Sequence, residues 1–414
     1  MNAVDVAIVG AGPAGLTAAA KLARETRLKV VVLERESEPG GIPRHSDHSG
    51  YGMRDLRAVM RGPAYARRLT GQALDAGATI STGTMVTGWA GGTTLEITSP
   101  QGCEPLEARA VILATGARER PRAARLIPGD RGAGVYTTGQ LQSMVHLKGA
   151  DVGRRAVVVG AELVSYSAVL TLRQAGCATV LMTTRHAKPE SYGLFNLAAR
   201  TPLLGVRIAT RTRLCRIIGK PRVSAVEIED IDTGIRQIVE CDTVVLTGDW
   251  IPDHELARTA GIDIDPGTLG PLVDTALRTS RPAVFAAGNL LHPVDTADVA
   301  ALDGRHVAGQ VAAYLGGKRP AADGIRLLVE PPLRWVAPGI VRTGDPDPAR
   351  NRLLLWTDDY FRRPEVIATQ DGRVIARTDV RWPASPGRVF RLPSRILADA
   401  DLHAGPVTLA LHGD

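Results

Sequence analysis

The sequence has few cysteines, and none of them lies near another. Its 414 residues include Cys103, Cys177, Cys215 and Cys241, and no two of these form a Cys-x-x-Cys pair. A dithiol relay needs two neighbouring thiols, one with a lowered pKa, so the sequence predicts no redox-active disulfide. A cysteine-ligated iron–sulfur cluster needs grouped thiolates and is not expected either. We expect free thiols in a reducing compartment.

Long apolar runs are also missing. No stretch approaches an uncharged membrane span, and the first strand starts close to Met1 without the basic and apolar segments of a secretory signal. We therefore expect a cytoplasmic protein with no membrane span. The formal net charge is +7, but only six of the 50 basic residues are Lys and the arginines are scattered, so we expect no nucleic-acid partner.

Glycine is concentrated near the N-terminus. Residues 4–9 are predicted to form a buried strand, followed by the glycine-rich turn 10–15 and an Ala-rich helix. Gly10 permits a tight turn, Gly12 lets the backbone approach a pyrophosphate, and Gly15 lets helix and strand pack closely. The second strand ends in Glu34, about where a carboxylate takes both hydroxyls of an adenosine ribose. This pattern predicts a dinucleotide site.

Two distant segments favour FAD over NAD. Residues 111–116 and 284–289 are each an apolar strand that ends in small residues. Together with the glycine turn, in this order and separation, they resemble the two-dinucleotide-domain flavoproteins related to thioredoxin reductase and the pyridine nucleotide-disulfide oxidoreductases. The resemblance covers roughly residues 1–318.

More specific strings narrow the resemblance. Residues 40–45, 115–121, 137–142 and 288–293 look like the smaller flavoprotein subunits of hydrogen cyanide synthase, opine oxidase and dye-linked amino-acid dehydrogenases. This implies non-covalent FAD and a partner that is itself a flavoprotein. Related subunits often carry an iron–sulfur segment near the C-terminus, whose cysteines are absent here. The residues expected to bind FAD are Gly10, Gly12, Pro13, Ala14, Gly15, Glu34, Arg35, Gly40, Gly41, Ala114, Thr115, Gly116, Gly288, Asn289, Thr296 and Ala297.

The resemblance implies an α/β fold with two Rossmann-like domains, the second inserted in the first. We assign residues 1–147 and 251–318 to an FAD-binding domain and 148–250 to a degenerate NAD(P)-binding-like domain. Residues 324–414 are predicted to form a small C-terminal β-sandwich-like domain with an aromatic core, which we expect to fold independently. Short β-like runs and the hairpin turn Asp371-Gly372 predict the strands. The aromatic core is predicted from three tryptophans, Trp335, Trp356 and Trp382.

The second glycine fingerprint is damaged. Gly160 is present, but Glu162 stands where the backbone must approach a pyrophosphate, and Ser165 replaces the third glycine. A carboxylate beside a phosphate is repelled, so NAD(P) binding is doubtful.

A polar loop at residues 43–54 supplies candidate catalytic groups. Arg44, His45 and His48 follow the Gly40-Gly41 pair, and such a cluster can bind a carboxylate and move a proton. His292 is the other titratable group expected near the flavin. The spacing of His45, Asp47 and His48 lacks a further ligand set, so we predict no metal site.

Three functions stay open. The first is the electron-transferring FAD subunit of a heteromeric amino-acid, opine or hydroxy-acid dehydrogenase, which acts on a small molecule. The second is a stand-alone NAD(P)H-dependent flavin oxidoreductase that passes electrons to oxygen or a quinone. The third is a non-catalytic FAD-stabilised scaffold whose C-terminal sandwich docks a partner. Glu162 favours the first over the second, and the polar site loop disfavours the third.

Overall fold

The computed structural model describes residues 3–193, 196–197, 205–293 and 295–413. The chain forms two compact units. Unit 1 comprises Met1–Arg44, Gly50–Ala117 and Ile251–Asp414, and unit 2 comprises His45–Ser49 and Arg118–Trp250. The finer division into three domains stays a prediction. Among the described residues, no helix combines the length and apolar character that a membrane span requires.

The α-helices are short to medium in length. In chain order they are α1 Pro13–Glu25, α2 Gly62–Asp75, α3 Thr138–His146, α4 Leu163–Gln174, α5 Glu255–Thr259 and α6 Ala297–Leu315. Short 3-10 turns occupy Ile42–His45, Gly288–Leu290, Ala349–Asn351 and Ser394–Leu397.

The strands of the first half are β1 Ala3–Val9, β2 Val30–Leu33, β3 Ser49–Tyr51, β4 Met60–Arg61, β5 Thr79–Ser81, β6 Met85–Gly91, β7 Thr94–Ser99, β8 Gly102–Leu113, β9 Ala117–Glu119, β10 Val135–Thr137, β11 Arg155–Val159, β12 Ala178–Thr183 and β13 Ile208–Ala209. Those of the second half are β14 Thr212–Ile218, β15 Ala225–Asp230, β16 Arg236–Glu240, β17 Thr243–Leu246, β18 Trp250–Pro252, β19 Val284–Ala286, β20 Gly324–Val329, β21 Leu333–Ala337, β22 Ile340–Arg342, β23 Arg352–Thr357, β24 Glu365–Gln370, β25 Arg373–Asp379, β26 Phe390–Pro393 and β27 Val407–His412.

A mixed sheet organises the N-terminal part of unit 1. Its strand order is β5-β2-β1-β8-β7-β6, with β19 paired to β8. Strands β1, β2, β5, β8 and β19 are parallel, and most of their apolar residues are buried, as expected for a parallel sheet covered by helices. The register aligns Val9 with Leu113, and Leu113 with Ala286. The three segments predicted to bind FAD therefore leave the sheet at the same edge.

Unit 2 repeats this architecture. Its parallel sheet has the order β10-β17-β11-β12-β13, and strands β14, β15 and β16 form an antiparallel sheet. Helix α4 follows β11 as α1 follows β1. The predicted fold class of two Rossmann-like domains, the second inserted in the first, is confirmed.

The C-terminal region contains the predicted β-sandwich-like pair of sheets. One has the order β22-β20-β27-β24-β25 and the other β21-β23-β26. Residues Asp371 and Gly372 both have positive φ, 49° and 76°, as the predicted hairpin turn requires. Prolines at positions 331, 332 and 338 lie between strands β20, β21 and β22 and not within them, as expected for a residue that cannot donate to a sheet ladder.

The aromatic core was predicted only in part. Trp335 is buried and stacks on Trp356 with 6.2 Å between ring centroids. Trp382 was expected in the same core, but it is 77% exposed, so that prediction is wrong. It lies in the connection after β25, beside Pro383, and has no strand face to turn inward.

Arginine–aspartate pairs join the C-terminal region to the rest of unit 1. Arg391 contacts Asp295 at 2.9 Å, and Arg350 contacts Asp303 at 3.1 Å. Arg278 binds Asp274 at 2.8 Å and also pairs with Asp345 of the C-terminal region. These aspartates are all buried, so the pairs compensate charges that would be expensive to leave alone.

Candidate functional site

The glycine turn between β1 and α1 leaves one open surface. A Cβ atom on Gly10 would lie 2.5 Å from the carbonyl oxygen of Ala114, and one on Gly15 would lie 2.0 Å from that of Gly10. A Cβ atom on Gly12 would meet nothing within 4 Å. Gly10 and Gly15 are thus required by internal packing, whereas Gly12 faces space. Helix α1 begins at Pro13 without a side-chain cap, so its first amides suit a phosphate.

The Gly40-Gly41 pair closes against this turn. The Gly40 N–H donates to the carbonyl of Ala11 at 2.8 Å, and a Cβ atom on Gly41 would lie 2.9 Å from the Cα atom of Gly12. Gly41 has a φ of +61°, which glycine adopts readily. The segment therefore borders the open surface at Gly12, as predicted for a cofactor contact.

Glu34 and Arg35 follow β2 at the same edge. The buried Glu34 carboxylate accepts hydrogen bonds from the N–H groups of Ala11 and Glu36, both at 2.9 Å. Each carboxylate oxygen keeps a second lone pair with which a ribose hydroxyl can bond. The side chain of Arg35 is largely exposed and approaches Asp253 at 3.8 Å.

The segment after β8 lies beside the glycine turn. The Ala114 N–H donates to the carbonyl of Val9 at 2.9 Å, and Gly116 has a φ of +77°. The Thr115 hydroxyl donates to the carbonyl of Asp253 at 2.8 Å. Ala114 and Thr115 are thus adjacent to Gly10, and the binding of FAD by Ala114, Thr115 and Gly116 stays a prediction.

Gly288 and Asn289 complete this surface from the C-terminal side. A Cβ atom on Gly288 would lie 2.8 Å from the Cβ atom of Ala14. The amide of Asn289 donates to the carbonyl of Asp295 at 2.9 Å, while its Oδ1 atom is buried with no hydrogen-bond partner among the described residues. A buried acceptor is rarely left unpaired, so this atom fits a hydroxyl such as those of the FAD ribityl chain.

Helix α6 begins at Ala297, with Thr296 as its N-cap residue. Asp295 accepts from the Thr296 N–H at 2.8 Å, and Asp298 accepts from the Val299 N–H at 3.1 Å and from the Arg54 N–H at 3.0 Å. Both carboxylates therefore fasten backbone near this N-terminus.

The four catalytic candidates are divided between the units. In unit 1, Arg44 lies 3.7 Å from Glu36 and 3.6 Å from Glu38, and His292 is buried. In unit 2, the Nε2 atom of His48 lies 3.0 Å from the Ser46 hydroxyl, and His45 belongs to the same segment.

The His45–Ser49 segment is hydrogen-bonded to the helices of unit 2. The amide of Gln142, on α3, donates to the hydroxyls of Ser46 and of Ser167, which lies on α4. The amide of Gln174 donates to the carbonyl of Asp47 at 3.0 Å. These contacts explain why the segment belongs to unit 2.

The side chain of Glu162 occupies the turn between β11 and α4, which holds the second glycine fingerprint. A Cβ atom on Gly160 would stand 2.8 Å and 3.0 Å from the two carboxyl oxygens of Glu162, and one on Gly248 would stand 2.4 Å from Oε1. The Ser165 hydroxyl lies 2.7 Å from that of Thr247. The carboxyl of Glu162 therefore fills the space between the ends of β11 and β17, at the N-terminus of α4.

Two further buried carboxyls lie in the same unit. Burial and the charge of Glu162 raise the pKa of Glu119 to about 7 and the pKa of Glu190 to about 8. Burial also raises the pKa of Glu162 itself. The sequence analysis did not single out either group, because Glu119 ends β9 within the segment 115–121, which served only for the resemblance, and Glu190 belongs to no motif. Burial is the main cause for all three groups, because a low-dielectric surrounding disfavours the charged form of a carboxyl.

The four cysteines differ in burial, and burial decides how reactive their thiols are. Cys177 and Cys241 are buried, and burial raises the pKa of the first to about 11 and of the second to about 12. Cys103 is exposed and Cys215 is half-buried. All four are free thiols, and the two buried ones are held in the unreactive protonated form.

Comparison with known proteins supports the geometry. A family model described as "Pyridine nucleotide-disulphide oxidoreductase" matches residues 4–304. An opine oxidase subunit from Agrobacterium tumefaciens is 28% identical over 346 residues, which are 75% of this chain but only 64% of that protein. Ferredoxin–NADP reductase of Salinispora tropica is 29% identical over 309 residues, 70% of this chain and 87% of that protein.

A solved structure shows the same fold. Thioredoxin reductase of T. acidophilum superposes with a TM-score of 0.65 at 22% identity, over 77% of this chain and 100% of that chain. At this identity the likeness concerns the fold.

Proposed function

We propose that this chain, which belongs to the pyridine nucleotide-disulphide oxidoreductase family, is the electron-transferring component of a heteromeric dehydrogenase acting on an amino acid, an opine or a hydroxy acid. Membership of the family makes the chain an FAD-dependent oxidoreductase and confirms the prediction of FAD. NAD(P) is the second substrate of family members. That this chain binds NAD(P) poorly therefore stays a prediction.

The contrast between the two glycine turns carries the proposal. In unit 1 the side of Gly12 is open, and in unit 2 the corresponding space holds the Glu162 carboxyl. A dinucleotide pyrophosphate would have to displace this group or bind beside it. We therefore assign FAD to unit 1 and infer that the electrons come from a donor other than a nicotinamide.

The residues proposed to hold FAD fit its parts. Glu34 suits the adenosine ribose, the turn at Gly12 with the first amides of α1 suits the pyrophosphate, and Oδ1 of Asn289 suits the ribityl chain. The N-terminus of α6 at Thr296 would favour negative charge. When bound, FAD supplies the capacity to accept and release electron pairs.

The cysteines support a route without a disulfide. Cys177 and Cys241 are both buried with raised pKa values. A thiol relay requires an accessible thiolate. We therefore propose that electrons enter and leave through the flavin alone.

The proposed partner is a second flavoprotein. The relative from Agrobacterium tumefaciens is by name one subunit of opine oxidase, and this chain spans 64% of its length. The partner would carry out substrate oxidation, and the unit 1 candidates Arg44 and His292 would serve the chemistry at this chain's flavin.

Reconstitution tests the proposal. The chain would be expressed alone and together with a flavoprotein encoded next to it, and dye reduction would be measured with amino acids, opines, hydroxy acids and NAD(P)H. We expect substrate-dependent dye reduction only by the complex and little with NAD(P)H. Fast NAD(P)H-dependent reduction by the chain alone would overturn the proposal.

That outcome would favour the stand-alone NAD(P)H-dependent flavin oxidoreductase. One observation supports this second candidate. The parallel sheet of unit 2 is intact, and Gly160 keeps a φ of +134°, as a nucleotide-binding turn requires.

A further inference from the structure

His292 lies in a buried polar network. Its side chain is 3% exposed, and its Nε2 atom is hydrogen-bonded to Oδ2 of Asp303 on α6. The Nδ1 atom is buried too, and it has no hydrogen-bond partner among the described residues. One imidazole nitrogen is therefore fixed and the other is available.

Arg350 binds the opposite side of the same carboxylate. Its Nη2 atom donates to Oδ1 of Asp303 at 3.1 Å, across 47 residues of sequence. The Nε and Nη1 atoms of Arg350 are buried and lack acceptors among the described residues. The backbone of Arg350 has a φ of +66°, which few non-glycine residues adopt. Arg350, which contacts Asp303, therefore has an uncommon backbone conformation.

The pairing determines the form of the imidazole. Burial alone would raise the pKa of Asp303, but the hydrogen bond with His292 and the charge of Arg350 lower it. An ionised carboxylate only accepts hydrogen bonds, so Nε2 of His292 must carry the proton. In the neutral imidazole, Nδ1 is then an acceptor.

The other charged groups around His292 are few. His306 contributes to the charge around Asp303 and bonds to the carbonyl of Thr275 at 2.8 Å. Asp295 lies on the same segment as His292 and is paired with Arg391 at 2.9 Å. Since Asp295 is paired with Arg391, the charged groups that act on the His292 imidazole are Asp303, by direct contact, and Arg350, through Asp303.

We propose that Arg350 of the C-terminal region is a positioning residue, which through Asp303 holds His292 with Nδ1 as a buried acceptor for an N–H or O–H group bound beside Gly288 and Asn289. This rests on the proposed function in so far as FAD and its substrate chemistry supply that group. Buried polar atoms without partners are costly, so these three atoms, which have none among the described residues, suit a ligand or an ordered water.

The tautomer of His292 tests the proposal directly. The full-length protein, labelled with ¹⁵N-histidine, would be examined by long-range ¹H–¹⁵N NMR without and with FAD, and His292→Asn would assign the signal. We expect the tautomer with the proton on Nε2 in both states. A proton on Nδ1 in the wild-type protein at neutral pH would overturn the proposal without any folding assumption.

Variants separate positioning from simple stabilisation. In Arg350→Gln we expect a mixture of tautomers and flavin reduction slowed by about tenfold or more, with FAD content retained. Arg350→Lys keeps the charge and should restore most of the wild-type tautomer. Arg326→Gln, on the exposed surface of β20, is the matched control and should change neither.

The outcomes distinguish this proposal from the proposed function. An unchanged tautomer in folded Arg350→Gln would overturn the positioning role. The expected tautomer together with unimpaired flavin reduction in His292→Asn would keep the positioning role and refute the proposed part of His292 in the chemistry.

Discussion

The Glu162 carboxyl lies against the backbone of Gly160, 2.8 Å and 3.0 Å from where a Cβ atom would stand. It also lies at the N-terminus of α4, a place that attracts anions. The protein thus supplies its own acidic group where a nucleotide phosphate would otherwise bind. The group both fills space and carries a potential charge, and these two effects can be separated by experiment.

We expect NAD(P)H to reduce the flavin slowly and Glu162→Gly to accelerate the reduction at least about tenfold, which corresponds to ~1.4 kcal/mol. Glu162→Gln removes the charge but keeps the bulk, so a gain only in the glycine variant would identify steric exclusion. Anaerobic stopped-flow measurements with NADH and NADPH would decide, with exposed Glu240→Gln as control. Wild-type reduction at on the order of tens per second would contradict the prediction.

Replacement of Gly12 tests the FAD site. Gly12→Glu should fold, because its Cβ atom meets nothing within 4 Å, but it should purify without the yellow cofactor. Gly71→Glu, at another uncrowded helical glycine, should retain FAD. Absorbance spectra and circular dichroism would show both properties, and stoichiometric FAD in Gly12→Glu would refute the assignment.

The buried carboxyls predict a pH-dependent stability of unit 2. Glu119 and Glu190 have pKa values of about 7 and about 8, raised from 4.5. Their stabilising contribution is complete below the unfolded-state pKa and is lost as the pH rises through about 7–8. For Glu119 this amounts to on the order of 3 kcal/mol.

We therefore expect the thermal unfolding midpoint to fall between pH 5 and pH 9, as measured by calorimetry. The double variant Glu119→Gln/Glu190→Gln should flatten this profile, because an amide does not ionise, whereas Glu240→Gln should not. A profile that rises with pH over this range would show that the carboxyls are ionised in the folded state.

Truncation before Gly324 tests the independence of the C-terminal region. The sequence predicted a region that folds independently, but the truncation takes away Arg391 and Arg350, the partners of buried Asp295 and Asp303. Leaving a buried charge unpaired costs about 3–5 kcal/mol. We expect loss of soluble protein, assessed by size-exclusion chromatography. A soluble, FAD-loaded fragment would show that the region is dispensable.

Motifs made the arrangement of the proposed FAD-binding surface predictable. Gly10, Gly12 and Gly15 form one continuous turn, and the apolar runs before Ala114 and Ala287 identify neighbouring strands of a parallel sheet. Local sequence carries this information, so no tertiary contact was needed.

Long-range relationships were not predictable in this way. Asp303 meets Arg350 across 47 residues, and Glu119 acquires its raised pKa from burial and from Glu162 on another strand end. Such pairs leave no periodic or spaced signal in the chain. Trp382 shows the converse, because its residue type favours a core while its proline-containing connection leaves it exposed.

The arginine–aspartate pairs also set an order for biosynthesis. Strand β8 receives its neighbour β19 only after residue 286 has been made, and Asp295 waits a further 96 residues for Arg391. Unit 2 is nearly continuous in the chain and lies wholly before these segments. On the ribosome, unit 2 can therefore finish folding first, while the flavoprotein unit stays incomplete until the last part of the chain has emerged.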